Sequence, residues 1–458
     1  MRRERNTAFI MIDIKQVEKK PTVVLVGLNT DRDEDLFASS MLELRGLSEA
    51  AGMKVCAVVT QNAEAPTQAT FVGSGKVEEI RTRIEYDDAD AVIFNQTLSP
   101  MQIRNLEKIL DREVIDRTAL ILQIFADRAR TREARLQVES ARLQYLLPRL
   151  SHMRTGLTRQ GGASGSKSSK GAGEKQLELD RRHIEHRLAE LRRELEAVNK
   201  ERSTQRSRRL SSSVPKVALV GYTNAGKSTI MNHLINDFAD GNTEEKKVLE
   251  QDMLFATLDT TIRKISPAGH RSFLLSDTVG FIDDLPTTLV KAFRSTLEEI
   301  KYADLLLEVI DFSDPDHARH MEVTDKTLAE IGAGDIPKIY VFNKSDIADE
   351  AGTTMVQLPY VRDHRIYMAA AKDIGTDELL SLIDKTLLEG SQECELLIPY
   401  SKGSILAAIN DGSEVVNTEY LPEGTKITAK LKKKDLNKYA EYISSTSEVH
   451  HRKQADNS

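Results

Sequence analysis

The 458-residue chain has no tryptophan, two cysteines, and only 5% aromatic residues. Recognition through stacked aromatic platforms is therefore a poor expectation. Cys56 and Cys394 stand far apart, which excludes a disulfide framework and disfavours a thiolate metal cluster. No apolar run approaches the ~18 uninterrupted residues of a membrane span. The opening MRRERNTAFIMIDIKQVEKK is basic at its head but lacks both an adequate apolar stretch and a small-residue cleavage site. A cytoplasmic chain without a secretory signal is the expectation. With 64 basic against 71 acidic residues the formal net charge is −7. The surface as a whole is thus unsuited to nucleic acid, and only a local basic patch could serve that purpose.

What is present is enough for more than one core. Hydrophobic residues are 40% and charged residues 29%, and the length suits roughly three domains. Tails are expected at residues 1–20 and 448–458. Between 21 and 116, short apolar runs at 23–26, 55–59 and 91–94 alternate with helical patterns at 33–51, 76–84 and 99–110. That alternation predicts a small α/β layer on a parallel sheet. Residues 117–210 read as an antiparallel helical arm. Its first helix spans 117–147 and is stopped by Pro148; its second spans 174–209, with Leu177, Ile184, Leu188, Leu191, Leu195 and Val198 at coiled-coil spacing. The joining loop, 149–173, contains no acid but carries Arg149, Arg154, Arg159, Lys167 and Lys170 among Gly and Ser. Such a loop can neutralise RNA phosphates, or be a solvated linker. A larger α/β domain is expected over 211–391, with strands at 216–220, 273–275, 305–310 and 338–342. A small α+β domain follows over 392–447, with a strand, a helix, a hairpin about Leu421-Pro422-Glu423-Gly424 and a final helix.

The strongest chemical signal is Gly221-Tyr222-Thr223-Asn224-Ala225-Gly226-Lys227-Ser228, set between a predicted strand and a predicted helix that continues through Thr229. This spacing is the phosphate loop: glycines turn backbone N–H groups toward phosphate oxygens, Lys227 faces the terminal phosphates, and the Ser228 hydroxyl is a hard ligand for Mg²⁺. Downstream, Asp277-Thr278-Val279-Gly280 follows the strand at 273–275. Asp277 can hold the metal shell through water, and the Gly280 N–H can meet a γ-phosphate. Asn343-Lys344-Ser345-Asp346 ends the strand at 338–342. A carboxylate there accepts both N1–H and N2–H₂ of guanine, a donor pair that adenine lacks. The order resembles that of the translation-factor-like class of GTPases, which implies guanine as the base.

Between these motifs a γ-phosphate sensor is needed, and Phe255-Ala256-Thr257-Leu258-Asp259-Thr260-Thr261 occupies the place. Thr257 is favoured over Thr260 and Thr261 as the second Mg²⁺ ligand. A last base-contacting loop is expected at Ala369-Ala370-Ala371, with the Ala370 N–H reaching the guanine oxygen. Asn224 stands where some potassium-assisted GTPases hold K⁺, although a loop-shaping role is favoured. Phe281 replaces the Gln that orients the attacking water in Ras-like enzymes, so slow intrinsic hydrolysis is expected. The segment Gly73-Ser74-Gly75-Lys76-Val77 imitates a second phosphate loop, but position 70 is Thr and Val77 cannot ligate a metal; a turn opening a helix is favoured.

Motifs along nearly the whole length resemble the HflX family of ribosome-associated GTPases. They include Gly73-Ser74-Gly75-Lys76-Val77-Glu78-Glu79, Val114-Ile115-Asp116-Arg117-Thr118, Ala129-Arg130-Thr131-Arg132-Glu133, Tyr145-Leu146-Leu147-Pro148-Arg149-Leu150 and Arg159-Gln160-Gly161-Gly162. Gly173-Glu174-Lys175-Gln176-Leu177-Glu178-Leu179-Asp180-Arg181-Arg182 extends the likeness. Relatives usually carry Arg-Gly-Pro-Gly-Glu where this chain has Lys170-Gly171-Ala172-Gly173-Glu174.

The resemblance implies Thr257 as the metal ligand and Phe281 as normal for the family. It further implies GTP-dependent binding to the large (50S) ribosomal subunit and its rRNA through the N-terminal domain and arm, with splitting of stalled ribosomes in studied members. Off the ribosome a monomer is expected. Two rivals are a GTPase acting on another RNA, as in tRNA modification, and a nucleotide-gated RNA-binding module with little catalysis.

Overall fold

The computed structural model describes residues 20–31, 33–152, 167–210, 214–238, 254–255, 261–283, 299–350 and 357–447. The chain divides into two compact units. One holds the described residues through Asn199 together with 254–255, and the other holds the rest.

The first unit is built on a four-stranded parallel sheet, β1 (Thr22–Asn29), β2 (Lys54–Asn62), β3 (Ala91–Phe94) and β4 (Glu113–Asp116), in the order β2-β1-β3-β4. Helices α1 (Glu34–Ala50), α2 (Ser74–Asp87) and α3 (Pro100–Leu110) supply the crossovers. Val23, Val24, Leu25 and Val26 are all fully buried, as a central parallel strand covered on both faces requires. Two of the three crossovers have a side-chain start signal. Asp33 caps α1 by accepting the Leu36 N–H, and Ser99 and Gln102 form a reciprocal capping box ahead of Pro100.

Where one helix over 117–147 was expected, there are two: α4 (Arg117–Arg128) and α5 (Arg132–His152). Ala129 turns extended (φ −64°, ψ 104°), and the Thr131 hydroxyl receives the Ala134 N–H to restart the helix. Nor does Pro148 stop α5. It lies in the last turns, where few helical bonds remain to lose, and the Arg149 guanidinium bonds the Tyr145 carbonyl at 2.9 Å. The second arm helix, α6 (Lys167–Leu210), begins earlier than the expected 174, so the joining loop is shorter than 149–173. The remaining 153–166 lie outside the described residues. The pairing is antiparallel: Arg132 meets Glu194 at 3.2 Å and Glu139 meets Arg187 at 2.8 Å, so seven residues forward on α5 match seven back on α6. Leu188 and Leu191 of the seam are buried.

The second unit contains a seven-stranded sheet of β5 (Lys216–Val220), β6 (Thr261–Ile265), β7 (Phe273–Asp277), β8 (Leu305–Asp311), β9 (Lys338–Asn343), β10 (Tyr360–Arg362) and β11 (Arg365–Tyr367). Its order is β10-β11-β9-β8-β5-β7-β6, antiparallel only at the two outer pairs. Around it lie α7 (Lys227–Phe238), α8 (His317–Glu330), α9 (Ser345–Glu350) and α10 (Thr376–Leu388). β5 alternates between two cores: Val217 and Leu219 join Met231 and Leu275 on one face, while Ala218 and Val220 join Leu306 and Leu328 on the other. The C-terminal ends of β5, β7, β8, β9 and β11 therefore open on one edge, where ligands bind in sheets of this kind.

The chain ends in β12 (Gln392–Ile398), α11 (Gly403–Gly412), β13 (Glu414–Leu421), β14 (Gly424–Leu431), α12 (Lys433–Lys438) and β15 (Ile443–Ser447), an antiparallel sheet ordered β13-β14-β12-β15. The expected final helix is only six residues long and yields to β15.

Candidate nucleotide-binding site

The phosphate loop joins β5 to α7. Gly226 adopts φ +95°, and a Cβ there would lie 2.1 Å from the Asn343 amide nitrogen, so only glycine lets the loop pass. Lys227 is buried, and its Nζ donates to the Gly221 and Tyr222 carbonyls at 3.0 and 2.6 Å. The loop thereby pre-places its own cation. Burial pushes the Lys227 ammonium down to about 8, with the nearby Asp277 carboxylate acting in the opposite direction.

Ser228 Oγ donates to Asp277 Oδ2 at 3.2 Å, which brings a hydroxyl and a carboxylate together at the end of the loop. This hard oxygen pair suits Mg²⁺. Thr278 Oγ1 donates to the Leu219 carbonyl at 2.7 Å and pins the segment after β7 to β5. Gly280 follows, past buried Val279, in close quarters: a Cβ would sit 2.9 Å from Thr223 Cα and 3.0 Å from Lys227 Nζ. Phe281 is 2% exposed and packs with Ala218, Val220 and Leu306. Its ring belongs to the core, so its side chain takes no place beside the reacting phosphate.

On the base side, Asn343 Nδ2 donates to the Ala225 carbonyl, and Lys344 (φ +57°) pairs with Asp311 at 2.7 Å. The Ser345 hydroxyl donates to the Phe342 carbonyl at 2.8 Å. Asp346 is paired with Lys372 at 2.9 Å. The Ala370 N–H, expected to meet guanine, donates instead to Asn343 Oδ1 at 3.0 Å. The carbonyl of Asn343's side chain occupies it because β9 and the Ala369–Lys372 turn abut. Ala369 is buried, and Ala371, exposed, comes next in the turn.

Phe255, counted among the nucleotide contacts, is buried in the first unit with its ring edge-on to Phe125 at 4.6 Å; it holds φ +57°, which such a residue adopts only when packing imposes it. Ala256, Thr257, Leu258, Asp259 and Thr260 lie outside the described residues, whereas Thr261 opens β6 opposite Asp277. Arg149, read as an RNA contact, is paired with fully buried Asp116 at 2.9 Å and stacked over the Tyr145 ring, so packing consumes its charge. Arg154 and Arg159 lie outside the described residues, and Lys167 and Lys170 fall in the first turn of α6. Gly73 opens α2 with its N–H bonded to Gln61, in keeping with a turn.

Sequence reasoning missed Lys372, Asp311 and the Tyr222 hydroxyl. Asp311 carried a signal, as a charge at the end of the strand expected at 305–310; Lys372 and the Tyr222 hydroxyl carried none.

A phosphate loop, a carboxylate-hydroxyl pair beside it and a base-side Asn-Lys-Ser-Asp on one sheet edge define a P-loop GTPase domain. Three consecutive segments of the chain match known families: residues 38–126 the GTP-binding GTPase N-terminal family, 128–209 the GTP-binding GTPase Middle Region, and 216–344 the 50S ribosome-binding GTPase. GTPase HflX of Alkalihalophilus pseudofirmus is 44% identical over 90% of this chain and 93% of its own length. GTPase HflX of Caldanaerobacter subterraneus is 40% identical over 90% and 91%. Among solved structures, a GTP-binding protein of Sulfolobus solfataricus in complex with GDP is 24% identical, with a TM-score of 0.42, over 80% of this chain and 98% of its own. The chain belongs to the HflX family of GTPases. No helix among the described residues is long and apolar enough to cross a membrane.

Proposed function

We propose that this GTPase is Mg²⁺-dependent and docks on the large (50S) ribosomal subunit in its GTP-bound form, in the cytoplasm. There it acts in splitting or rescue of stalled ribosomes, or in ribosome biogenesis and translation under stress. The observation that carries the reading is the match of residues 216–344 to the 50S ribosome-binding GTPase family, inside a chain that aligns with HflX proteins over 90% of its length.

In the reaction, water attacks the γ-phosphorus to give GDP and phosphate. Lys227, already held among loop carbonyls, stabilises charge on the terminal phosphates. Ser228 and Thr257 would hold the metal, with Asp277 behind its water shell. Held there, Mg²⁺ would supply positive charge against the negative charge that develops on the phosphates. Gly280 presents its N–H to the γ-phosphate, and Asp346 releases Lys372 to accept guanine N1–H and N2–H₂. With the Ala370 N–H bonded to Asn343, the neighbouring Ala371 would be the residue to offer an N–H to the guanine oxygen. The Asn224 side chain, exposed at φ +60°, is the position for a K⁺ ion; equal turnover in sodium and potassium removes that element. Arg154, Arg159, Lys167 and Lys170 are the remaining candidates for rRNA phosphates.

The test is phosphate release from GTP with and without purified large subunits, comparing the intact chain with Lys227→Ala. Subunit-stimulated release by the intact chain alone supports the reading. Tight GTP binding with no stimulation favours a nucleotide-gated binding module instead.

A further inference from the structure

Tyr222, the second residue of the phosphate loop, lies in a short parallel bridge with Phe281. The Thr223 N–H donates to the Phe281 carbonyl at 2.8 Å, and the Phe281 N–H donates to the Gly221 carbonyl at 3.1 Å. Two residues on, the Asp283 N–H donates to the Tyr222 hydroxyl at 2.8 Å. Three hydrogen bonds thus fasten 281–283 to the phosphate loop, two from backbone and one from a side chain.

The hydroxyl cannot swing away. Its ring is 8% exposed and stacked on His320 of α8, with centroids 3.8 Å apart and planes 11° apart. The neighbouring Arg319 pairs with the Asp283 carboxylate. Adjacent residues of one helix therefore hold both partners of the Tyr222–Asp283 bond. Phenylalanine would satisfy the stack equally well, and a buried hydroxyl costs free energy unless bonded, so the bond to Asp283 is part of what the oxygen adds. Gly280 immediately precedes this fastened stretch and abuts Lys227 Nζ, where the terminal phosphate of a triphosphate is expected.

We propose that Tyr222 is a positioning residue for γ-phosphate recognition: its hydroxyl holds the 281–283 stretch so that the Gly280 N–H faces the third phosphate beside Lys227. A diphosphate does not extend to Gly280. The hydroxyl therefore contributes to binding and hydrolysis of the triphosphate and not to binding of the diphosphate. This role rests on GTP hydrolysis alone and is independent of the ribosome.

Tyr222→Phe keeps the ring and removes the oxygen. The expected result is an affinity for a non-hydrolysable GTP analogue reduced about tenfold, which corresponds to roughly 1.4 kcal/mol. Single-turnover hydrolysis slows to a similar extent, while GDP affinity stays at the parent value and the melting temperature falls only slightly, because the part-buried Asp283 N–H loses its acceptor. An unchanged ratio of GTP-analogue to GDP affinity overturns the proposal. So does a parallel loss for both nucleotides, which would mark Tyr222 as a structural part of the loop. Should Tyr222→Phe fail to fold, His320→Ala, which lets the ring tilt but keeps the oxygen, must lower the same ratio.

Discussion

Asn343 reaches across from the end of β9 to the phosphate loop, its amide nitrogen donating to the Ala225 carbonyl at 3.0 Å. The same side chain accepts the Ala370 N–H at 3.0 Å, so one buried amide ties the phosphate-binding and base-binding loops together. The distance between the two ends of a bound nucleotide is thereby set by the protein before the ligand arrives, which reduces the ordering cost of binding.

Asn343→Ala leaves a buried carbonyl and a buried N–H without their partner, at about 1–3 kcal/mol each. GDP affinity should fall by at least roughly tenfold, with a lower melting temperature. Titration calorimetry and thermal unfolding of the variant check both; an unaltered GDP affinity would show that the tie plays no part in pre-ordering the site.

Asp346→Asn exchanges an acceptor pair for an amide that both donates and accepts. Guanine then faces an unmatched donor, while xanthine, which has a carbonyl in place of the 2-amino group, gains one. Losses for a mismatched buried polar contact are steep. The variant should bind guanosine diphosphate at least about a hundredfold more weakly and prefer the xanthosine nucleotide in direct competition.

The ammonium of Lys227 sits near pKa 8 without nucleotide because burial disfavours its charge. Phosphate restores the charged form, so binding takes up a proton above pH 8. Nucleotide affinity should be roughly tenfold lower at pH 9 than at pH 7. The nucleotide-free protein behaves oppositely. Between about 8 and the unfolded value of 10.5 the unfolded chain binds more protons, so this group's contribution to stability increases with pH across that window. Calorimetry in buffers of different ionisation enthalpy, at both pH values, reads the proton uptake directly.

Arg149 closes a buried cluster in the first unit. Asp116 accepts from the Ala119 and Leu98 N–H groups, from the Tyr145 hydroxyl and from Arg149. Arg149→Ala leaves that carboxylate without its cation, and loss of a partner from a buried pair costs about 3–5 kcal/mol. The variant should melt markedly earlier in the first unit. An Arg149→Ala protein of parental stability that binds RNA less well would return this residue to the RNA-contacting set.

The phosphate loop and the guanine motif were legible because their chemistry is written in contiguous residues: Gly226 and Lys227 side by side, Asn343 three positions from Asp346. The parallel pairings were legible because β1, β5 and β8 are mostly apolar runs buried on both faces. Contacts made across the chain were not. Nothing near Tyr222 announces Asp283, 61 positions on, and Arg149 in an acid-free stretch gives no sign of Asp116, 33 positions back. The break between α4 and α5 falls at Ala129-Arg130-Thr131, which contains neither Gly nor Pro, whereas Pro148 signals a stop that α5 overrides. β6 was hidden because Thr261–Ile265 is an outer strand whose Thr, Arg and Lys resemble a polar loop. Pro148 and Thr131 show the same lesson from opposite sides: local propensity is decided by what side chains such as Arg149 can bond nearby.

The claim on which the account turns is that occupancy by a triphosphate at the β5–α7 loop governs attachment to the large ribosomal subunit. Sedimentation of the intact chain through a sucrose cushion with purified large subunits, in a non-hydrolysable GTP analogue, in GDP and without nucleotide, measures it most directly. Co-pelleting with the GTP analogue, and little or none with GDP, is the expected result. Equal pelleting in all three conditions, or none in any, would contradict it.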